Sequence, residues 1–191
     1  MDYKTNSEIS TIVARVMRQV NPAQAQHEKK DLRLPGKAPD ALVAIGADHG
    51  GFDLKALLIE YIQSIGYQSI DCGTNSKESV DYPDFAQAVA EKVAAGAAWR
   101  GIVIDAAGIG SCMAANKVPG VRAAMCYDFA TASNSREHND ANVLTLGAGL
   151  IGANQAKLIV KTWLSTAFGG DRHQRRIDKI TAIEQRYSQR R

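Results

Sequence analysis

From Ala41 onward the chain alternates short apolar runs with longer amphipathic segments. The short runs are rich in Val, Ile and Leu, and the longer segments carry apolar residues every three or four positions, which is typical of strands and of helices. This pattern predicts strands at 41–46, 67–73, 101–106, 121–127 and 142–147 and helices at 52–65, 82–95, 112–117, 130–137, 153–166 and 172–190. Because apolar strands alternating with helices are covered on both faces, we expect an α/β fold, an αβα sandwich around a five-stranded parallel sheet.

The first 40 residues have a different pattern. Apolar residues recur at helical spacing over residues 9–20, which predicts an amphipathic helix with one apolar face. Residues 21–40 are polar and contain three prolines, which is typical of a flexible linker. A helix this short is only marginally stable alone in water, so we expect its apolar face to pack on a partner. We therefore divide the chain into residues 1–40, a helix on a linker, and residues 41–191, the main domain.

Composition fits one folded domain with a short extension. The chain has 191 residues, of which 45% are hydrophobic and 23% charged, enough for a packed core. No apolar run approaches the roughly 20 residues of a membrane-spanning helix, and the first residues lack the basic and apolar pattern of a secretory signal. The three cysteines have no CxxC spacing, which argues against a disulfide framework or a zinc site. We therefore expect a cytoplasmic protein without a metal site.

The charge is concentrated near the C-terminus. A net charge of +3 is too small to indicate a nucleic-acid-binding protein, but residues 172–191 hold seven basic and two acidic side chains. Such a cluster is a solvated helix face, a nucleic-acid patch or a phosphate clamp. Within it Arg172, His173 and Arg176 lie about one helical turn apart and can converge on one phosphate group.

Three loops beside predicted strands carry a high density of polar residues. Asp48 and His49 follow the first strand, and the segment DAAGIGS at 105–111 follows the third. Ligands of parallel sheets bind at the carboxyl ends of the strands. His138 and Asn139 instead lie just before the fifth strand, so they can join such a site only through a long loop or across a subunit interface. This placement predicts a dimer.

The glycines at 108–110 favour an anion-binding turn. Exposed N–H groups between a strand and a helix attract negative charge, although glycines there also serve close packing of helix on strand. The segment lacks the full GxGxxG pattern, so a dinucleotide cofactor is not expected.

Taken together, these segments resemble the ribose-5-phosphate isomerase B family, which also contains the subunits of galactose-6-phosphate isomerase. The resemblance extends in order over residues 41 to about 187. The segments that carry it are GADHGGFDLK (46–55), IDCGT (70–74), SVDYPDFA (79–86), GIG with MAANKVPGVRAA (108–124), REHNDANVL with LG (136–147) and DRHQRRI (171–177). It implies a Rossmann-like αβα sandwich that forms homodimers or tetramers with active sites at the subunit interface. It also implies aldose–ketose isomerisation of a phosphorylated sugar through an enediolate, without metal or cofactor.

The resemblance also implies a role for each matching residue. His138 would open the sugar ring as an acid from the partner subunit, and Asn139 would bind the sugar hydroxyls or the enediolate oxygen. Asp48 and His49 would contact the sugar, and Arg172 and Arg176 would bind its phosphate. The anion hole would be formed by Ala106, Ala107, Gly108, Ile109 and Gly110.

The chain departs from the family after the third strand. The family's usual Cys-Gly-Thr, with the cysteine as catalytic base, is here Asp105-Ala106-Ala107. One galactose-6-phosphate isomerase subunit is similar in carrying an aspartate there, and other members place a carboxylate base at the position of Ser111. Three interpretations remain open: Asp105 is the base, a different partner subunit completes the site, or the chain binds sugar phosphates without catalysis.

A second departure concerns the substrate. Many relatives carry an arginine at the position of Gly149, so this chain has one cation fewer near the substrate. Ribose 5-phosphate is the leading expectation, and tetrose, allose and galactose phosphates stay open.

The N-terminal region lies outside the family core. A helix over residues 7–20 followed by a linker resembles the encapsulation peptides of bacterial microcompartment cargo enzymes, which dock an apolar face onto shell proteins. The resemblance implies a shell protein as partner and the microcompartment lumen as location. The alternative is an oligomerisation arm that packs on a neighbouring subunit.

Overall fold

A computed structural model of the chain describes residues 41–188. The predicted N-terminal helix and linker, and the last three residues, lie outside the described residues. The strands are β1 Leu42–Ala47, β2 Gln68–Asp71, β3 Arg100–Asp105, β4 Ala123–Met125 and β5 Val143–Gly147. The helices are α1 Phe52–Ser64, α2 Tyr82–Ala94, α3 Ile109–Ala115, α4 Phe129–Glu137, α5 Ala153–Ser165 and α6 Gln174–Ser188, the last preceded by a 3₁₀ turn at Asp171–His173.

The strands form one parallel sheet in the order β2-β1-β3-β5-β4. From β1 the chain builds outward to β2 and then returns to place β3 on the other side of β1. β1 and β3 are neighbours, but the chain after β1 continues towards one side of the sheet and the chain after β3 towards the other. Their two loops therefore diverge and open a crevice at the carboxyl edge. The α/β fold and the five-stranded parallel sheet are confirmed.

Two apolar layers cover the sheet. Residues Val43, Ile45, Ile102 and Ile104 alternate along β1 and β3 and pack under α1, α4 and α5. The intervening strand residues face α2 and α3. Together with residues of those helices and adjoining loops they form a second layer, made of Ala44, Ala86, Val89, Ala90, Val93, Ala98, Val103, Ala115, Val121 and Val143. Alternation along strands that are buried on both faces is the physical source of the apolar runs in the sequence.

Several boundaries differ from the sequence prediction by one to three residues, and the structure gives the reason for two of them. Helix α3 begins at Ile109 rather than at 112, because Gly108 adopts a left-handed conformation (φ 78°) and turns the chain directly into the helix. Strand β4 is shorter than the predicted 121–127. Side chains occupy its margins: Arg122 N donates to Asn142 Oδ1 at 2.7 Å and Ala123 N to Asn116 Oδ1 at 2.9 Å.

Among the helices in this part of the chain, none combines the length and apolar character that a membrane span requires.

Candidate active site

The loops after β1 and β3 meet at the carboxyl edge of the sheet. Asp48 N donates to the carbonyl of Ile104 at 3.2 Å, which ties the two loops together at their bases. A Cβ built on Gly50 would lie 3.3 Å from Asp48 Oδ1 and 3.6 Å from the Ala106 Cβ, so the loops remain in contact beyond the strands. The structure thus brings the predicted residues of 48–49 and 105–110 into one cluster, the carboxyl-edge cluster.

Asp105 is the centre of this cluster and is 4% exposed. Its Oδ1 accepts hydrogen bonds from the N–H groups of Ala107, at 2.8 Å, and Gly108. Its Oδ2 accepts from Ser111 N at 3.0 Å and from the Ser111 hydroxyl at 2.5 Å. A carboxylate offers about four lone-pair positions, so these four donors occupy all of them.

The turn around Asp105 is fixed from β5 as well. The Thr145 hydroxyl, fully buried, donates to the carbonyl of Gly108 at 2.9 Å. A Cβ on Gly108 would lie 2.9 Å from the Leu146 carbonyl carbon, so both its positive φ and this approach require glycine. Ile109 and Gly110, predicted as part of an anion-binding loop, lie in the first turn of α3 instead. The N–H groups of Ala107 and Gly108 already donate to Asp105.

Asp48 and His49 differ in exposure. Asp48 is 7% exposed and its Oδ1 accepts from Gly51 N at 3.0 Å. His49 is exposed, and its Nδ1 lies 3.2 Å from both the N and the O of Val80. The Val80 segment therefore borders the cluster and holds one side of the His49 ring, while the rest of the ring faces outward.

A second group of predicted residues lies at the amino edge of the sheet. Helix α4 starts after β4 and runs back along the sheet, so His138, which follows it, lies near the start of β5. The Asn134 amide lies 2.8 Å from His138 Nδ1. The His138 ring stacks on the ring of His173, with centroids 4.2 Å apart and planes inclined by 6°.

The two arginines predicted to bind phosphate belong to this group. Arg172 Nε lies 3.5 Å from His173 Nε2, and Arg176 Nη1 lies 3.5 Å from His173 Nδ1. Both arginines are exposed, whereas His173 is buried. Burial lowers the pKa of His173, and the neighbouring His138, Arg172 and Arg176 lower it further. We call His138, Asn139, Arg172, His173 and Arg176 the amino-edge cluster.

One chain therefore places these residues in two clusters at opposite edges of its sheet. The expectation that His138 is at the wrong end for a carboxyl-edge site is confirmed by its position. Asn139 stays with His138, and its carbonyl accepts from Arg122 Nε at 3.2 Å.

Two residues, Ser111 and Thr145, were not given a role from the sequence, and His173 was placed with the arginines without its contact to His138. Ser111 was noted as a departure from the family, but its bond to Asp105 depends on the start of α3. Thr145 has no sequence signal, because it stands among apolar strand residues. His173 was grouped with the arginines by spacing, but its stack on His138 joins segments that are 35 residues apart.

Two further features of the described residues bear on what the clusters can bind. Within residues 41–188, no group of three His, Cys, Asp or Glu side chains lies close enough to hold a metal ion. A groove of about 860 Å³ runs between α6 and the segment from Asn116 to Ala124, and Asn139 reaches its wall.

Comparison with known proteins assigns this arrangement a family. The sequence pattern described as Ribose/Galactose Isomerase matches residues 43–180. Ribose-5-phosphate isomerase B of Escherichia coli is 46% identical over 144 residues, which are 75% of this chain and 97% of that protein.

Solved structures agree with the sequence match. Ribose-5-phosphate isomerase B of Clostridium thermocellum is 51% identical, with a TM-score of 0.76, over 76% of this chain and 99% of that one. The enzyme of Mycoplasma genitalium, solved with bound ribulose 5-phosphate, is 41% identical, with a TM-score of 0.73, over 75% of this chain and 96% of that one. These matches extend over the described domain.

Proposed function

The chain belongs to the ribose/galactose isomerase family, and on that premise we propose that it interconverts the aldose and ketose forms of a phosphorylated sugar. Ribose 5-phosphate and ribulose 5-phosphate are the leading pair, since the relatives above are named for that sugar. The observation that carries the proposal is that the polar residues of the family motifs are present and form two compact clusters, one with a carboxylate and one with two exposed arginines.

The two clusters form a complete site only when two copies of the chain meet. In this proposal the carboxyl-edge cluster of one subunit faces the amino-edge cluster of the next, in a homodimer or in a tetramer of such pairs. Support comes from apolar side chains that follow the carboxyl ends of β3, β4 and β5 and are about half exposed. These are Ile109, Met113, Phe129 and Leu150. A patch of this kind is typical of a surface that is covered in an assembly.

The chemistry needs a ring-opening acid, a base, and donors for the enediolate. His138 gives a proton to the ring oxygen, and Arg172 and Arg176 hold the phosphate dianion by charge-assisted bonds. Asp105 takes the proton from C2 of the aldose. The C–H electron pair becomes the C1–C2 double bond while the carbonyl electron pair moves to O1, which gives the enediolate. The proton on Asp105 exchanges with solvent, the O2 hydroxyl proton moves to O1, and Asp105 delivers a proton to C1 as the C2 carbonyl of the ketose forms. Asp48, His49 and Asn139 bind the sugar oxygens. Of the loop 106–110, the N–H groups of Ala106, Ile109 and Gly110 stabilise the negative oxygen, because those of Ala107 and Gly108 donate to Asp105.

Asp105 can accept a proton only if one of its four hydrogen-bond donors moves away and frees a lone pair. The three N–H donors belong to the backbone and are fixed by the turn and by α3. The Ser111 hydroxyl is the one donor that can rotate about a single bond, which would free one lone pair of Oδ2. The proposed proton acceptor is therefore Oδ2.

A non-catalytic subunit is the second candidate, and the four hydrogen bonds that Asp105 accepts favour it. A carboxylate with every lone pair occupied and 4% exposure also fits a side chain that only holds its turn. In that case the chain binds sugar phosphates through Arg172 and Arg176 and contributes to a hetero-oligomer.

Turnover by the purified protein separates the two candidates. NMR of the full-length protein with ribose 5-phosphate in deuterium oxide should yield ribulose 5-phosphate with deuterium at the transferred carbon. A panel of tetrose, allose and galactose phosphates tests which sugar is the substrate. The choice is open because Gly149 has no side chain where many relatives carry an arginine; a Cβ built on Gly149 would lie 3.0 Å from the carbonyl oxygen of Ala106. Absence of turnover across the panel would contradict catalysis and favour the binding subunit.

We assign residues 1–40 to a separate targeting region, from the sequence pattern alone. In this proposal the helix at 7–20 docks on a microcompartment shell protein and places the enzyme in the lumen. Residues 1–40 fused to a fluorescent protein should form puncta in cells that make the shell. The same fusion with Ile9, Val13 and Val16 replaced by Asp is the control, and diffuse fluorescence of the unaltered fusion would contradict targeting.

A further inference from the structure

His173 lies between the proposed proton donor and the proposed phosphate clamp. Its ring is parallel to that of His138, at 4.2 Å, and both of its nitrogens lie 3.5 Å from an arginine nitrogen. Only 8% of its surface is exposed, although the arginines beside it are exposed. A buried ring in contact with both functional groups can transmit a change at one of them to the other.

The backbone around His173 is fixed to the end of α4. Gly169 N donates to the carbonyl of Glu137 at 2.9 Å, and His173 N donates to the carbonyl of Gly170 at 2.9 Å. A Cβ built on Gly169 would lie 3.1 Å from that Glu137 carbonyl oxygen. The segment that leads into the 3₁₀ turn is therefore hydrogen-bonded to the end of α4, and the His138–His173 stack joins the same two segments.

The N–H donors of His173 and the two arginines outnumber the acceptors that these three side chains offer one another. A neutral imidazole has one N–H donor and one acceptor nitrogen, and an arginine has donors only. Since both ring nitrogens face a guanidinium, only one arginine finds an acceptor on the ring. At the other nitrogen an N–H of His173 meets an N–H of arginine. An anionic oxygen beside them would accept both donors.

We propose that His173 is a positioning residue that donates its N–H to the substrate phosphate together with the arginines. Through its stack on His138, it also holds the proton donor at a fixed position relative to the bound phosphate. This role rests on the proposed function. Phosphate binding and the placement of His138 are then coupled events.

Charges around the ring agree with this role. The groups that face it are His138 and Glu137 at the end of α4, Arg172 in its own turn and Arg176 on α6. Burial and the three basic neighbours lower the pKa of His173, while Glu137 acts in the opposite direction. The ring is therefore neutral at pH 7 and keeps the acceptor that orders one arginine. A bound dianion supplies the acceptor for the other.

Inorganic phosphate tests the role without turnover. His173→Phe keeps a flat ring on His138 but has no nitrogen, so phosphate affinity should fall about tenfold, the effect of one charge-assisted hydrogen bond. His173→Gln keeps a donor and an acceptor but has no ring, so affinity should stay within about threefold of wild type. Arg175→Gln alters an exposed neighbour outside the proposed clamp, so it is the control for a general effect of substitution on this surface and should bind as wild type does.

NMR of the His138 ring tests the coupling. In the wild type, phosphate should shift the His138 and His173 ring signals with one midpoint. In His173→Gln phosphate should still bind, but the His138 signals should no longer follow it. Thermal melting of each variant reports whether the fold is retained. If one fails to fold, His173→Leu replaces His173→Phe as the variant without a nitrogen, and His173→Asn replaces His173→Gln.

Two results would overturn the role of His173. One is an unchanged phosphate affinity in His173→Phe, and the other is a His138 response in His173→Gln equal to that of the wild type. If wild-type protein binds phosphate but shows no isomerisation, catalysis fails and the role of His173 in phosphate binding is still tested. If wild-type protein does not bind phosphate, the clamp and the role of His173 fail together.

Discussion

At the scale of single residues, the contacts of Asp105 determine what a substitution there can mean. Its carboxylate accepts from Ala107, Gly108 and Ser111, so it orders the turn, and it is also the base in the proposed mechanism. An amide side chain at this position presents an NH₂ group to backbone N–H donors in either orientation. Loss of activity in a variant is therefore informative only when the fold and phosphate binding are measured beside it.

We expect Asp105→Asn to lower kcat by at least about a hundredfold, the usual contribution of a general base. Its thermal stability should also fall, because at least one buried N–H loses its acceptor. Inorganic phosphate affinity should not change, since the arginines belong to the other cluster. Steady-state assays, melting curves and phosphate titration measure the three quantities.

Asp48→Asn is the matched control for this substitution. Asp48 accepts one amide bond, from Gly51, and an asparagine oxygen can accept it as well. Solvent deuterium should therefore still enter the product of Asp48→Asn and should not enter that of Asp105→Asn. The reverse pattern would identify Asp48 as the base and contradict the assignment of Asp105.

At the scale of elements, aromatic and cationic side chains join the end of α5 to the sheet. Arg100 at the start of β3 donates to the carbonyls of Trp163, at 2.8 Å, and Leu164, at 3.2 Å, in the last turn of α5. Its guanidinium lies 3.9 Å from the ring centroid of Trp99 and 5.1 Å from that of Trp163. Burial lowers the pKa of Arg100 to about 9, so it is charged at pH 7, where it interacts favourably with the helix C-terminus.

Arg100→Ala should lower the free energy of unfolding by about 2 kcal/mol, through the lost carbonyl bonds and stacking. Chemical denaturation followed by tryptophan fluorescence measures it. Lys161→Ala removes an exposed cation from α5 and should change the same quantity by less than about 0.5 kcal/mol. Equal effects of the two substitutions would contradict the joining role of Arg100.

The elements themselves could largely be predicted, because alternation and helical spacing report burial on two faces. The start of α3 was predicted too late, since glycines have low helix propensity and the left-handed Gly108 is not visible in a pattern of apolar residues. The proposed site residues were selected by motif, and the order of strands and helices in the sequence already indicated that His138 and Asn139 lie at the other edge from Asp48 and Asp105. The contacts of Asp105 and His173 depend on atoms placed by distant segments, which sequence spacing does not encode.

At the scale of the whole molecule, the sheet itself separates the two clusters. β3 and β5 run parallel, so Asp105, at the end of β3, pairs with Gly147, at the end of β5. His138 precedes the start of β5, a strand length away. A chain built this way cannot bring its base and its proton donor together by side-chain motion alone. The proposal of a shared site therefore requires that every active site take residues from two chains.

Complementation between two inactive variants tests this requirement most directly. Asp105→Asn and His138→Ala, each inactive alone, are co-expressed with different tags, and the doubly tagged assembly is purified. A mixed dimer has one intact site, with Asp105 from one chain and His138 from the other, so it should have about half of the wild-type activity per dimer. Activity no higher than that of the separate variants, in an assembly that contains both chains, would contradict a site shared between subunits.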